Sequence, residues 1–204
     1  MSMPIAVRPA TPNDLPALAA LSARAFAGQA MTEWLMGPGD AGRARVERIT
    51  RLELERALPF RQVYTTAALE GLAIWRPPEA RENAWRRLWF DLRLAGLIEL
   101  RSKTWRQLSA LFAVEKAHPA PPHYYLRLLA VDPDCQERGI GTALLAPGLD
   151  ACDARGVPAY LETDTLDNVG FYQRRGFRVR SRIGIPGSAA GLGMWTLQRD
   201  PRPR

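Results

Sequence analysis

The sequence predicts an α/β protein built on a mixed sheet. Three observations carry this. The apolar and aromatic run from Tyr124 to Val131 reads as a buried strand and is stopped by Asp132-Pro133. The turn Arg138-Gly139-Ile140-Gly141-Thr142 leads straight into an apolar segment with a helical look. Around them the elements run strand, helices, two paired strands, an insertion, strand, helix, strand, helix and a final hairpin, an order that makes a mixed sheet. Strand, glycine-bearing turn and helix start in succession also make a site for an anion. The first-turn amides have no partner within the helix and point outward with the positive end of its dipole. Glycine lets backbone approach the bound group. A phosphate or diphosphate is the expected ligand.

The other elements follow in order. Ile5-Ala6-Val7-Arg8 alternates and reads as the first strand. Thr11-Pro12-Asn13-Asp14 has the spacing of a capping box, with proline at the first helical position. Leu15, Leu18, Ala19, Ser22 and Phe26 then give one face of a helix of about four turns, ended by Gly28. Met31 to Met36 reads as apolar enough to pack but too short for a full helix. A helix is expected from Arg43 to Leu58, with Val46, Ile49, Leu52 (or Glu53) and Leu58 on its inner side. Residues 61–67 and 72–75 form a hairpin about Leu69-Glu70-Gly71, stopped by Pro77-Pro78. Between residues 79 and 118 a helical insertion is expected, with Trp85, Leu88, Trp89 and Leu92 on one face and Trp105, Leu108 and Phe112 on another. It would cover a substrate cleft or make a homodimer surface. Ala159 to Thr163 is a strand, Asp167 to Arg175 a short helix, and Phe177–Ile185 with Met194–Gln198 the closing hairpin.

With 204 residues, 47% apolar and 24% charged, the chain suits one domain over 1–200 with a basic tail at 201–204. No run has the length of a membrane span, no secretory leader is visible, and the two cysteines, Cys135 and Cys152, lack further metal ligands at suitable spacing. A cytoplasmic protein without a metal, a membrane or a nucleic-acid partner is expected. The net charge of +7 comes almost wholly from scattered arginines, with lysine only at 103 and 116, and would steer a polyanionic small molecule.

The spacing Gln136-x-x-Gly139-x-Gly141 lacks the lysine of a nucleoside-triphosphate loop and the third glycine of a dinucleotide loop. It resembles the acyl-CoA loop of the GCN5-related N-acetyltransferases (GNAT). Phe171-Tyr172-Gln173-Arg174-Arg175-Gly176-Phe177 looks like the tyrosine-bearing helix and Gly-Phe turn of the same superfamily. Gly156 to Thr163, Asn168 to Phe177 and the block Trp75 to Glu79 resemble its puromycin N-acetyltransferase-like branch most closely.

That resemblance implies a mostly antiparallel sheet, flanked by helices and splayed between two central parallel strands, 124–131 and 159–163. Pantetheine would pair with backbone at Leu129, Ala130 and Val131. The segment Gln136, Glu137, Arg138, Gly139, Ile140, Gly141, Thr142 and Ala143 would hold the diphosphate. Asn168, Phe171 and Tyr172 would complete the cofactor contacts. Acetyl-CoA is the implied donor and Tyr172 the acid that protonates the departing sulfur. Glu162 would act as base, or would anchor a cationic substrate by charge. Asp164 is a weaker base, and His118 and His123 read as solvated histidines of a Pro-rich loop. Phe26, Met31, Trp34 and Trp75 are the expected acceptor walls, suited to a planar or cationic amine. The expected function is acetyl transfer to a small primary amine. A protein or peptide acceptor, and a non-catalytic acyl-CoA sensor, are the alternatives.

Overall fold

A computed structural model describes residues 5–80, 113–114, 116–120, 122–185, 188 and 191–203. Most of the expected 79–118 insertion, including its two aromatic faces, lies outside them. The chain divides into two compact units, Met1–Ala80 with Leu126–Ala151 and Arg81–Tyr125 with Cys152–Arg204. Its strands hydrogen-bond in the order β1-β2-β3-β4-β5-β7-β6, taking β1 as Val7–Pro9, β2 as Val63–Thr66, β3 as Gly71–Arg76, β4 as Tyr124–Val131, β5 as Ala159–Thr163, β6 as Arg178–Gly184 and β7 as Gly193–Arg199. β1/β2, β2/β3, β5/β7 and β6/β7 are antiparallel, whereas β4/β5 is parallel. This is the mixed, mostly antiparallel sheet flanked by helices that the sequence predicts.

In the first unit, Thr11 donates its amide and its hydroxyl to the Asp14 carboxylate, at 2.7 and 2.8 Å, while Arg8 grips both oxygens at 2.8 and 2.9 Å. The Arg8 hydrogen bonds, with the Thr11 donors, hold Asp14 far below the usual carboxylate range. The box opens a 3₁₀ turn, Pro12–Asp14, and α1 (Leu15–Ala25) continues from it. Leu18 and Leu21 of α1 are fully buried against Leu54, Leu72 and Ile74. Burial of each such side chain stabilises by about 1.5–3 kcal/mol.

Two sequence expectations change here. Ala30–Met36 is a seven-residue helix, α2, despite its length. The helix expected from Arg43 begins at Gly39 and runs to Ala57 (α3), and it turns Val46, Thr50, Glu53 and Leu54 inward. A charge therefore sits on the buried face: Glu53 accepts from Arg76 and, at 3.0 Å, from Arg127. Ser22 and Thr50 share a buried hydrogen bond of 2.9 Å between α1 and α3.

The helix after the glycine turn is α4, Ile140–Arg155. In the second unit β5 leads to α5, Leu166–Gln173, whose N-cap Thr165 accepts from the Asn168 amide. The parallel register of β4 with β5 covers Tyr124↔Ala159 and Tyr125↔Tyr160. In the closing hairpin a bulge between Val179 and Ser181 leaves Arg180 outside the ladder.

Candidate active site

In the first unit the turn before α4 is held from several sides. Asp132 donates its amide to Glu70 O at 2.9 Å, and its carboxylate accepts from Arg24 at 2.6 Å and from the Asp134 amide at 3.2 Å. Gln136 Nε2 reaches Val131 O at 3.3 Å, and Arg138 donates to Asp134 O at 2.8 Å. Glu137 and Gly139 both take left-handed backbone, with φ of 62° and 85°. At Gly139 a side chain would be strained. A non-glycine residue in that region, as at Glu137, is the kind of local strain that persists only where surroundings enforce it. Alternating backbone hands of this sort turn successive N–H groups to one side and make an anion-binding concavity. The first helical bond of α4 runs from Ala143 N to Gly139 O, so the amides of Ile140 and Gly141 precede it. Gln136, Glu137, Arg138, Gly139 and Thr142 are exposed, Gly141 and Ala143 partly so, and Ile140 anchors the helix by burial.

Along β4, Leu129 and Val131 are half-buried, while the side chain of Ala130 between them belongs to the core. Of the expected acceptor walls, Phe26 is half-buried against that same core, Met31 is buried and Trp34 is half-buried. Trp75 is a correction. It is wholly buried with its indole against Gly148, where an added Cβ would come within 2.2 Å of the ring. An acceptor wall needs accessible surface, and Trp75 has none.

In the second unit, α5 carries Asn168 exposed, Phe171 half-buried and Tyr172 buried. Tyr172 meets Phe171 and Phe177 edge-on at 5.1 and 5.7 Å, and the Arg175 guanidinium lies 3.5 Å over the Phe171 ring. Phe177 and Arg175 donate their amides to Tyr172 O, closing the Gly-Phe turn. Burial pushes the Tyr172 phenol well above its usual range. It therefore holds its proton at any physiological pH.

Glu162, on β5, has a side chain only 3% exposed, and His118 Nε2 stands 3.0 Å from its Oε1. That separation makes an ion pair when the imidazole is protonated, yet Oε1 accepts no well-formed hydrogen bond among the described residues. The rings of Tyr125 and Tyr160 flank His118 at 4.6 and 4.9 Å, and His123 lies 5.7 Å away. Burial and, next, the charge of Glu162 push the Tyr160 phenol up; burial and, next, His118 push His123 down. The two histidines are thus packed in an aromatic cluster, contrary to the solvated loop expected from the prolines. Asp164 is half-buried, which raises its pKa. Among the described residues no group of His, Cys, Asp or Glu could hold a metal, and no helix is long and apolar enough to cross a membrane.

Residues 49–177, more than half of the chain, match the acetyltransferase (GNAT) family. The chain belongs to that family. The GNAT fold is also seen across its length: a structure described as histone acetyltransferase HPA2 and related acetyltransferase, from Corynebacterium glutamicum ATCC 13032, superposes with a TM-score of 0.71 at 22% identity over 99% of each chain. The apo form of an agmatine N-acetyltransferase point mutant gives 0.66 at 14% identity over 96% of this chain and 99% of its own. Locally the GNAT chain is 48% identical over 54 residues to a mycothiol acetyltransferase of Clavibacter michiganensis subsp. michiganensis (strain NCPPB 382). That match covers 25% of this chain and 18% of the relative. The chain thus spans under a fifth of the curated relatives it matches.

Proposed function

We propose that this GNAT chain transfers the acetyl group of acetyl-CoA to the primary amine of a small molecule. The observation that carries the reading is the turn at 136–142, where two left-handed residues precede the start of a sixteen-residue helix. It suits a diphosphate: exposed backbone donors, a helix dipole of the right sign, and Arg138 alongside. In this reading Leu129 and Val131 offer backbone groups to the pantetheine amides. Bound acetyl-CoA supplies an activated thioester; the chain's residues orient it and manage the protons.

Tyr172 is assigned the acid. Burial keeps the phenol protonated while making it a weaker acid; in this role it would hydrogen-bond the sulfur and pass its proton as negative charge develops there. Glu162 is assigned the base, since an amine must lose a proton to become a nucleophile. Within the family, the segments 156–163 and 168–177 favour the puromycin N-acetyltransferase-like branch.

Free-thiol release from acetyl-CoA across a panel of primary amines tests the reading. Amine-stimulated release is expected, reduced roughly 10²-fold in Tyr172→Phe with acetyl-CoA retention unchanged. Retention itself should be lost in Gly141→Glu, which puts a carboxylate where the phosphates would lie. Acetyl-CoA binding without turnover on any amine would instead indicate a sensor. Turnover confined to peptides would move the acceptor class.

A further inference from the structure

We propose that His118 is the proton-relay partner of Glu162, taking up the proton that this carboxylate removes from the incoming ammonium and releasing it to water. The inference rests on the acetyltransferase reading and adds a residue to its proton path.

Three observations lead there. The Glu162 side chain is 3% exposed and so has almost no contact with water, whereas that of His118, 3.0 Å away, is 20% exposed. A proton accepted by Glu162 has its way out through the group that touches both the carboxylate and solvent. Glu162 Oε1 accepts no well-formed hydrogen bond among the described residues, with His118 Nε2 3.0 Å from it and the Tyr160 hydroxyl as the carboxylate's other hydrogen-bonding neighbour. A buried oxygen with an unused lone pair is costly in a purely structural ion pair. It is the vacancy that a travelling proton needs. The imidazole, finally, is held edge-on to Tyr125 and tilted against Tyr160, so its orientation is set by packing.

The charged and titratable neighbours leave His118 as the exchangeable group. Tyr160, on β5 like Glu162, is pushed up and stays a phenol; its hydroxyl also reaches Ala117 O at 3.4 Å. His123 is pushed down and stays neutral near pH 7. Arg180, at the bulge of β6, acts on both His123 and Tyr160 and is permanently charged. Tyr125, on β4, adds its ring.

The proton balance is simple. The ammonium R–NH3⁺ gives a proton to the Glu162 carboxylate, leaving R–NH2 and a carboxylic acid. The acid passes that proton to neutral His118 at Nε2, and the imidazolium returns one proton to water. The net change is R–NH3⁺ to R–NH2 plus H⁺, with no other reactant. Only the neutral imidazole has a lone pair at Nε2 to take the proton, so the relay runs through that form alone.

The test uses the full chain, acetyl-CoA and an amine active in the thiol-release assay. His118→Gln is expected to lower kcat/KM roughly 10- to 100-fold, with acetyl-CoA Kd within about twofold of wild type. In His118→Ala, added imidazole should restore part of the rate. The chain has two histidines, so their ring signals can be assigned by loss of one in His118→Gln. In NMR spectra at fixed pH the His118 ring signals should move in Glu162→Gln, as expected for side chains 3.0 Å apart. A folded His118→Gln with wild-type kcat/KM, or His118 ring signals indifferent to Glu162→Gln, overturns the relay while the acetyltransferase reading stands. If wild-type protein shows no amine-stimulated thiol release, that reading falls and takes the relay with it.

Discussion

Glu53, on α3 of the first unit, and Glu162, on β5 of the second, each show 3% of their side chain to solvent. Around Glu53 stand guanidinium groups. Burial opposes its charge, but Arg127, Arg76 and Arg56 outweigh that and hold the carboxyl at about 2. Around Glu162 stand an imidazole and phenols, groups that can lose or gain a proton or keep one to donate. Equal burial thus yields two different carboxylates. The first is fixed as an anion by partners that never titrate, and it ties α3 to β3 and β4 within its unit. The second has an imidazole 3.0 Å away and phenol rings around that imidazole, with no guanidinium in an ion pair with it among the described residues.

The strongest way to break this comparison is to remove the first carboxylate. Glu53→Ala leaves the Arg76 and Arg127 guanidiniums facing a site without counter-charge, and a loss of about 3–5 kcal/mol is expected in urea unfolding. The milder Glu53→Gln should cost about 3 kcal/mol at neutral pH, from the fall of the carboxyl from its ordinary 4.5 to about 2. The sign follows from a depressed folded-state pKa. The stabilisation is full above about 4.5 and is lost as pH falls towards 2, so the two unfolding curves should converge across that window. A gap independent of pH would mean the anion contributes nothing special.

Removing the second carboxylate should do the opposite. Glu162→Gln is expected to slow turnover by roughly 10²- to 10⁴-fold while changing unfolding free energy by less than about 1 kcal/mol. A stability loss as large as that of Glu53→Gln would make both carboxylates structural. Smaller effects sharpen the contrast between turn and helix. Gly139→Ala, at φ 85°, should cost about 1–2 kcal/mol of backbone strain and weaken acetyl-CoA binding, read by calorimetry. Thr165→Ala removes the acceptor for the Asn168 amide at the start of α5. It should cost about 1 kcal/mol, a fall in Tm of about 2–4 °C.

What was readable beforehand was local. The turn from Gln136 to Gly141, the strand 159–163 and the tyrosine-bearing helix each announce themselves within about ten residues, through glycines, alternation and a cap. α2 is not legible in the sequence because a seven-residue helix shows too few turns for its period to stand out, and packing supplies what propensity does not. The inner face of α3 was ambiguous because a helical wheel ranks Leu52 above Glu53. The arginines that make Glu53 welcome inside, Arg76 and Arg127, lie far along the chain. The histidines failed for the same reason. Prolines at 119, 121 and 122 suggest a loop in water, while the contact that matters, His118 with Glu162, spans 44 residues. Trp75 misled in the other direction: an aromatic beside a proline pair suggested a wall, and the notch at Gly148 that receives it has no signature of its own.

That notch also equips the protein with an optical gauge. The Trp75 indole is shut off from solvent, and its Nε1 has no hydrogen-bond partner among the described residues. An indole so dry emits to the blue of one in water. Because the chain has six tryptophans, the Trp75 share is read as the difference from Trp75→Phe; filling the notch with Gly148→Ala should force the ring outward and redden that share, reporting on the interior of the first unit without any ligand or added dye.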